Sequence, residues 1–312
     1  MDTRLNEILI IGAGGMGALF GAILSKGGLQ VTLVDRDIEH VEAIRSHGLH
    51  ISGFGGDRLQ KIVTETEIGA IKRADVVLLQ CKGTSTYEVA QSLRPMAASG
   101  AVFISFQNGL GNEEILSEIL GAENVLGGLT SMAGAKLGPG HIRDFDRAPS
   151  YIGELEGGLS ERAQEIAKRF TNAGLETVAS TDIQAAIWKK LLGNITMSAV
   201  SGLTNLTGAQ ILQRSDLKAV CFNALDEALS IAHAHGILLN RDDVIHGLKL
   251  MTAPGGTGDN KSSLCLDILK KRPCEVEFIY GTPLKLAEEA GLAVPTIEAL
   301  YALVKGVETH YT

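Results

Sequence analysis

Cysteine is scarce and dispersed in this chain of 312 residues: Cys81, Cys221, Cys265 and Cys274 form no Cys-x-x-Cys pair. That spacing argues against a disulfide framework or a structural zinc, and makes a reducing cytoplasm the expected setting. Long Lys/Arg runs are also missing. With 28 basic against 36 acidic residues the net charge is −8, which speaks against nucleic acid or an anionic membrane as the main partner. Residues 8–25 carry no charge over 18 positions, but they hold five glycines, and Asp2, Arg4 and Glu7 precede them in place of a basic run. Neither a secretory leader nor a membrane span has that composition. There is no G-x-S-x-G elbow, and His233 and His235 stand two apart, not at the four-residue spacing of a helical metal pair.

What is present suits a globular protein with a full core: 45% of residues are hydrophobic and 21% charged. The length predicts two domains, and periodicity divides the chain near residue 180. Before it, short Val/Ile/Leu runs at 9–11, 31–34, 76–79, 102–105 and 125–126 alternate with helical patterns at 16–28, 38–47, 86–96 and 112–120. Edge strands at 151–153 and 176–179 fit around a helix at 160–172. This alternation predicts an α/β fold, a Rossmann-type doubly wound parallel sheet covered on both faces, over residues 1–180. From 181 to 312 apolar residues recur at three- and four-residue spacing through 183–200, 216–235, 242–251, 265–271, 276–291 and 297–309, which predicts an all-helical second domain. The stretch 253–258 (Ala-Pro-Gly-Gly-Thr-Gly) reads as a loop.

Gly12, Gly14 and Gly17 stand in G-x-G-x-x-G spacing after an apolar strand and at the start of a helix. Each glycine answers a separate demand: a sharp turn off the strand, close backbone approach to a pyrophosphate, and tight packing of the helix whose N-terminus faces the anion. The next strand ends at Asp35, about 20 residues beyond the glycines, where an acceptor for a ribose diol is expected. Asp35 would repel a 2′-phosphate, whereas Arg36 suits one or stacks on adenine, so NAD and NADP both stay open.

In the second half, Lys190 and Asn194 lie four apart on one helical face, and Ser198 extends the line by a turn. A lysine beside Trp188 in a run of Leu and Ile is poorly solvated, which lowers its pKa towards that of a useful proton donor. The plainer reading is a lysine that snorkels from a core helix. Glu275 and Glu277 are two apart, so on a helix one points inward while the other is solvated.

Taken in order, the glycine turn, Cys81-Lys82, Gln107-Asn108-Gly109, Trp188-x-Lys190-Leu191 with Asn194, Ser262-Ser263-Leu264-x-x-Asp267, Arg272-x-x-Glu275 and Val294-Pro295 resemble the ketopantoate reductase (2-dehydropantoate 2-reductase) family over essentially the whole chain. The resemblance implies Lys190 as catalytic acid and Glu275 as an active-site carboxylate. It also implies Asn108 near the nicotinamide, Lys82 by the cofactor, and Asn194 with Ser263 on a small 2-oxo acid. Ser198 stands where the family usually has a second asparagine, Cys274 where it has a threonine, and Tyr280 where it has an asparagine. Reduction of 2-dehydropantoate with NADPH is the activity implied. NAD-dependent D-2-hydroxyacid dehydrogenation of another branched or aromatic 2-oxo acid, an amino-acid or opine-type dehydrogenase, and a non-catalytic NAD(P) sensor are the alternatives. An apolar helical domain further suggests a homodimer.

Overall fold

A computed structural model describes residues 5–252 and 258–311; residues 253–257 of the loop predicted over 253–258 lie outside them. Two compact units emerge, Met1–Gln107 with Asn112–Ile183, and Asn108–Gly111 with Gln184–Thr312.

The first unit contains twelve strands among the described residues: β1 (Glu7–Ile11), β2 (Gln30–Val34), β3 (Leu49–Gly53), β4 (Arg58–Gln60), β5 (Val63–Glu65), β6 (Val76–Leu79), β7 (Val102–Ser105), β8 (Val125–Thr130), β9 (Gly134–Gly138), β10 (His141–Asp144), β11 (Ser150–Gly153) and β12 (Thr177–Ala179). Eight form one sheet in the order β12-β11-β8-β7-β6-β1-β2-β5. It is parallel except where β11 runs antiparallel to β8. The apolar runs follow from burial on both faces. Ile8 and Ile10 of β1 join a layer with Leu19, Phe20 and Leu33, while Leu9 and Ile11 join the opposite layer with Val77, Phe103 and Leu116. Each such side chain, taken fully from water, contributes about 1.5–3 kcal/mol. The winding direction reverses between β1 and β6, and in such sheets ligands bind beyond the strand ends at that reversal. The uncharged stretch near the start becomes β1, a turn and the helix Gly15–Lys26.

Helix starts follow local chemistry. The Asp37 carboxylate accepts the His40 N–H to begin Ile38–His47, and the Ser160 hydroxyl accepts the Ala163 N–H to begin Glu161–Asn172. A second sheet, β4-β3-β10-β9, was not signalled by periodicity. Its strands are short, carry glycine or charge, and its central pair joins β3 to β10 across about 90 residues of chain. It packs against the helix Gly15–Lys26.

The second unit is helical: Ile183–Thr204, Gly208–Gln213, Ser215–Ala234, Arg241–Thr252, Ser263–Leu269, Thr282–Glu289 and Pro295–Glu308. The helix expected over 276–291 is divided into a π-helical turn, Glu277–Gly281, and Thr282–Glu289. Pro283 has no N–H to offer the carbonyl of Ile279 four residues back, and the backbone widens there. Glu227 accepts the N–H groups of Thr296 and Ile297 at 3.0 and 2.9 Å, capping Pro295–Glu308. Among the described residues no helix is long and apolar enough to cross a membrane.

Candidate active site

The candidate cofactor site of the first unit is built largely from backbone. Gly12 has φ +100°, and a Cβ there would lie 2.6 Å from the Cys81 nitrogen. A Cβ on Gly17 would lie within 2 Å of the Gly12 carbonyl oxygen, so the helix can pack this closely only because Gly17 has no side chain. At Gly14, by contrast, a Cβ would meet nothing within 4 Å. The helix Gly15–Lys26 also starts without a side-chain cap, leaving first-turn N–H groups for an anion. Open space beside an uncapped helix start fits the pyrophosphate of a dinucleotide.

Asp35 at the end of β2 accepts the Ala13 N–H at 2.7 Å and the Asp37 N–H at 2.9 Å. A carboxylate retains further acceptor sites after two such bonds, so Asp35 both braces the turn and remains able to take ribose hydroxyls. Buried His40 supports the same turn from the other side. Its Nδ1 accepts the Gly140 N–H at 3.0 Å, which requires Nε2 to carry the proton and donate to the Ala13 carbonyl at 2.8 Å. Burial and then Lys136 hold the His40 pKa below its ordinary value, consistent with a neutral ring. Lys136 of β9 pairs with Asp37 at 2.5 Å, and the pairing lowers the Asp37 pKa. Arg36 is exposed. Neither His40 nor Lys136 was marked by any sequence motif, because each reaches the turn through tertiary packing.

Lys82 is exposed and leads into the short turn Gly83–Ser85. Next to it in sequence, the Cys81 carbonyl accepts from Gln107 Nε2 at 3.0 Å; the same amide donates to Thr86 Oγ1 at 2.8 Å, and that hydroxyl donates to Asn112 Oδ1 at 2.8 Å. Gln107, quoted above only as part of a motif, thus organises a buried polar cluster.

The second unit carries its own candidate cluster, made of side chains. Lys190, Asn194 and Ser198 all lie on Ile183–Thr204; Lys190 and Asn194 are half-buried, Ser198 is buried and Lys189 is exposed. Burial lowers the Lys190 pKa from its ordinary value, and the Glu275 carboxylate opposes that shift. Glu275 is itself buried and accepts from Asn108 Nδ2 at 3.2 Å. Three of the expected residues, Lys190, Glu275 and Asn108, therefore share one electrostatic neighbourhood. The expected division between the two glutamates also appears: Glu277 is half-exposed and paired with Lys305 at 2.9 Å. Asn108 belongs to this unit because its segment is bound to the π-helical turn. Leu110 N–H donates to the Phe278 carbonyl at 2.8 Å, Thr282 Oγ1 donates to the Leu110 carbonyl at 3.0 Å, and Gly109, at φ +88°, lies against Phe278.

Ser262 joins its segment to the same helix: its hydroxyl donates to the Ser198 carbonyl at 3.2 Å and its N–H to Ser201 Oγ at 3.3 Å. Ser263 follows as an exposed first residue of Ser263–Leu269. Fully buried Tyr280 makes the contact the sequence reading missed. Its hydroxyl donates to the Ile195 carbonyl at 2.7 Å and accepts the Ala199 N–H at 3.0 Å, bridging two backbone groups one turn apart on Ile183–Thr204. The bridge spans the stretch between Asn194 and Ser198. The only signal in the sequence was Tyr280 itself, at a position where the resemblance implies asparagine.

The chain is similar to known proteins over nearly its whole length. The family model described as "Ketopantoate reductase PanE/ApbA" matches residues 8–157, and its C-terminal counterpart matches residues 182–308. A 2-dehydropantoate 2-reductase of Archaeoglobus fulgidus is 30% identical over 306 residues, covering 98% of this chain and 99% of the relative. A PanE/ApbA family ketopantoate reductase from Ralstonia eutropha JMP134 superposes with TM-score 0.89 at 28% identity, covering 97% of this chain and 99% of that one. A D-mandelate dehydrogenase solved with NADH and anilino(oxo)acetate superposes with TM-score 0.92 at 25% identity and the same coverage.

Proposed function

Since the chain belongs to the ketopantoate reductase family, we propose that it is an NAD(P)H-dependent reductase of a small 2-oxo acid, 2-dehydropantoate being the first substrate to test. The observation that carries the reading is the half-buried Lys190 ammonium facing the field of buried Glu275. NAD(P)H, when bound, supplies the hydride. As the carbonyl carbon is reduced, negative charge grows on its oxygen; Lys190 stabilises that charge and gives its proton to the oxygen, so the product is the 2-hydroxy acid. Glu275 keeps Lys190 protonated until then and, with Asn108, holds it in place. Asn194, Ser198 and Ser263 offer hydrogen bonds for the substrate's polar groups, and Lys82 a cation on the cofactor side.

We assign NADH as the preferred cofactor. Asp35 disfavours a 2′-phosphate, and Lys136, a cation near the end of β2, is held by Asp37. A second substrate reading, an aromatic or branched 2-oxo acid reduced to its D-hydroxy acid, draws support from the D-mandelate dehydrogenase superposition and from Ser198, shorter than the amide the family usually carries. Steady-state rates with 2-dehydropantoate and phenylglyoxylate, each with NADH and NADPH, decide among these; no turnover with any pair defeats the enzyme reading. We extend the proposal to a homodimer in a reducing cytoplasm. Exposed Leu250, Leu269 and Leu303 on the second unit support the dimer, and light scattering tests it.

A further inference from the structure

The sheet's winding reversal falls between β1 and β6, whose last paired residues are Ile11 and Leu79. Gly12 and Gln80 are the next residues of those two strands, so Gln80 stands at the crevice directly beside the glycine turn. Its N–H donates to the Ile11 carbonyl at 2.8 Å. Its carbonyl carbon and oxygen lie 2.7 and 2.8 Å from where a Gly12 Cβ would be, and its own Cβ lies 3.1 Å from where a Gly17 Cβ would be. The side chain therefore starts against both the turn and the helix start.

Among the described residues, the Gln80 Nε2 atom is buried and has no hydrogen-bond partner. Such an atom is unusual: a buried amide donor left unmade destabilises a fold, and polar groups inside proteins are nearly always satisfied. Neither composition nor packing calls for a glutamine at the end of a strand reading Val-Val-Leu-Leu. A ligand that brings an acceptor to this point would account for both the residue type and its vacant donor. The acceptor expected beside Gly12, Gly14 and an uncapped helix start is an anionic oxygen.

We propose that Gln80 is a cofactor-binding residue whose side-chain amide donates a hydrogen bond to a diphosphate oxygen of the bound NAD(P)H. The assignment rests on the dinucleotide reading of the glycine turn and adds a side-chain donor to a diphosphate site otherwise made of backbone N–H groups. It also means that the unliganded protein holds this amide at a disadvantage that cofactor binding relieves.

The test measures binding and unfolding, with no need for turnover. Gln80→Met keeps the length and removes the donor. Expected results are a thermal midpoint without nucleotide that is equal to or above that of the parent, a smaller rise on adding NADH, and NADH affinity by fluorescence titration weakened about tenfold, as for loss of a bond to a charged acceptor. Gln80→Glu, which places an anion against the diphosphate, should bind NADH still more weakly. Unchanged NADH affinity in Gln80→Met overturns the proposal. So does a midpoint several degrees lower without nucleotide, because the amide would then have a partner within the protein. Parent-like affinity in Gln80→Glu overturns the diphosphate as acceptor. If the unsubstituted protein bound neither NADH nor NADPH, the dinucleotide reading itself would fail, and the proposal with it.

Discussion

The glycine turn after β1 and the helix Ile183–Thr204 solve opposite problems. The turn works through what its residues lack: Gly12 and Gly17 admit backbone at distances no Cβ tolerates, and what the uncapped helix start offers is N–H donors common to every residue. The helix works through what its residues carry, a lysine whose charge is shaped by burial and by Glu275. Backbone recognition needs only local geometry and survives in a short motif. Side-chain chemistry depends on which distant segments approach, and here those are Asn108, Glu275 and Tyr280.

The widest difference should come from one substitution in each region. Gly17→Ala sets a Cβ against the Gly12 carbonyl and should cost about 4 kcal/mol of stability along with NADH binding, read by urea unfolding and fluorescence titration. Lys190→Ala should lower kcat by about 10²- to 10⁴-fold while leaving NADH affinity and the unfolding midpoint close to those of the parent. Equal damage to cofactor affinity in both variants would erase the contrast.

Burial shifts an ionisable group in each unit, with opposite consequences. In the first, Glu113 lies buried at the start of Asn112–Leu120, and desolvation, then Glu114, push its pKa from 4.5 to about 7. Of the elements packed on that helix, Thr86–Ala97 carries exposed Glu88 and Arg94, the turn Ala122–Asn124 carries Glu123, and β7 presents the Ser105 hydroxyl, which bonds the carboxyl. Because the folded pKa is raised, the folded state holds the proton more tightly. The group's contribution to stability is then complete below pH 4.5 and is lost as pH rises to about 7. Glu113→Gln lacks that slope, so it should match the parent near pH 4 and exceed it by about 3 kcal/mol near pH 8 in denaturant titrations.

For the second unit the carboxylate supports charge on Lys190, so Glu275→Gln should lower the Lys190 pKa further. The basic limb of the kcat/KM profile then moves to lower pH, by about one unit for loss of one buried opposite charge. A limb that stays in place separates Glu275 from Lys190. The smallest effect belongs to Tyr280→Phe. The Ile195 carbonyl and the Ala199 N–H stand one helical turn apart and can pair along the helix without the hydroxyl, so the loss should stay near 1 kcal/mol, while KM for the 2-oxo acid responds more than kcat because the hydroxyl braces the stretch between Asn194 and Ser198.

Much of the architecture was legible in the sequence. Runs such as Val76–Leu79 and Val102–Ser105 are continuous because both sheet faces are covered, and the helices Ile38–His47 and Asn112–Leu120 follow clear periodicity. The second sheet was not legible, since strands as short as Arg58–Gln60 carry no signal without their partners. Within the site, Lys190 was marked by its helical face and apolar neighbours, Glu275 and Asn108 were given their roles by resemblance, and the structure shows one electrostatic neighbourhood around them. His40, Lys136 and the Tyr280 hydroxyl had no motif to mark them; each acts by reaching a backbone or carboxylate group far away in sequence.

By itself, the order of residues determined the alternation of strand and helix, the glycine turn with Asp35 beyond it, and the helical character of the second half, because these depend on periods and spacings within a few residues. Only the tertiary structure decided that Lys190 shares the field of Glu275, that Asn108 groups with the helical unit, that the Tyr280 hydroxyl reaches helix backbone, and that the Gln80 Nε2 atom has no partner among the described residues. The reason is physical: burial and electrostatic fields are sums over neighbours brought together by folding, and no local pattern contains them.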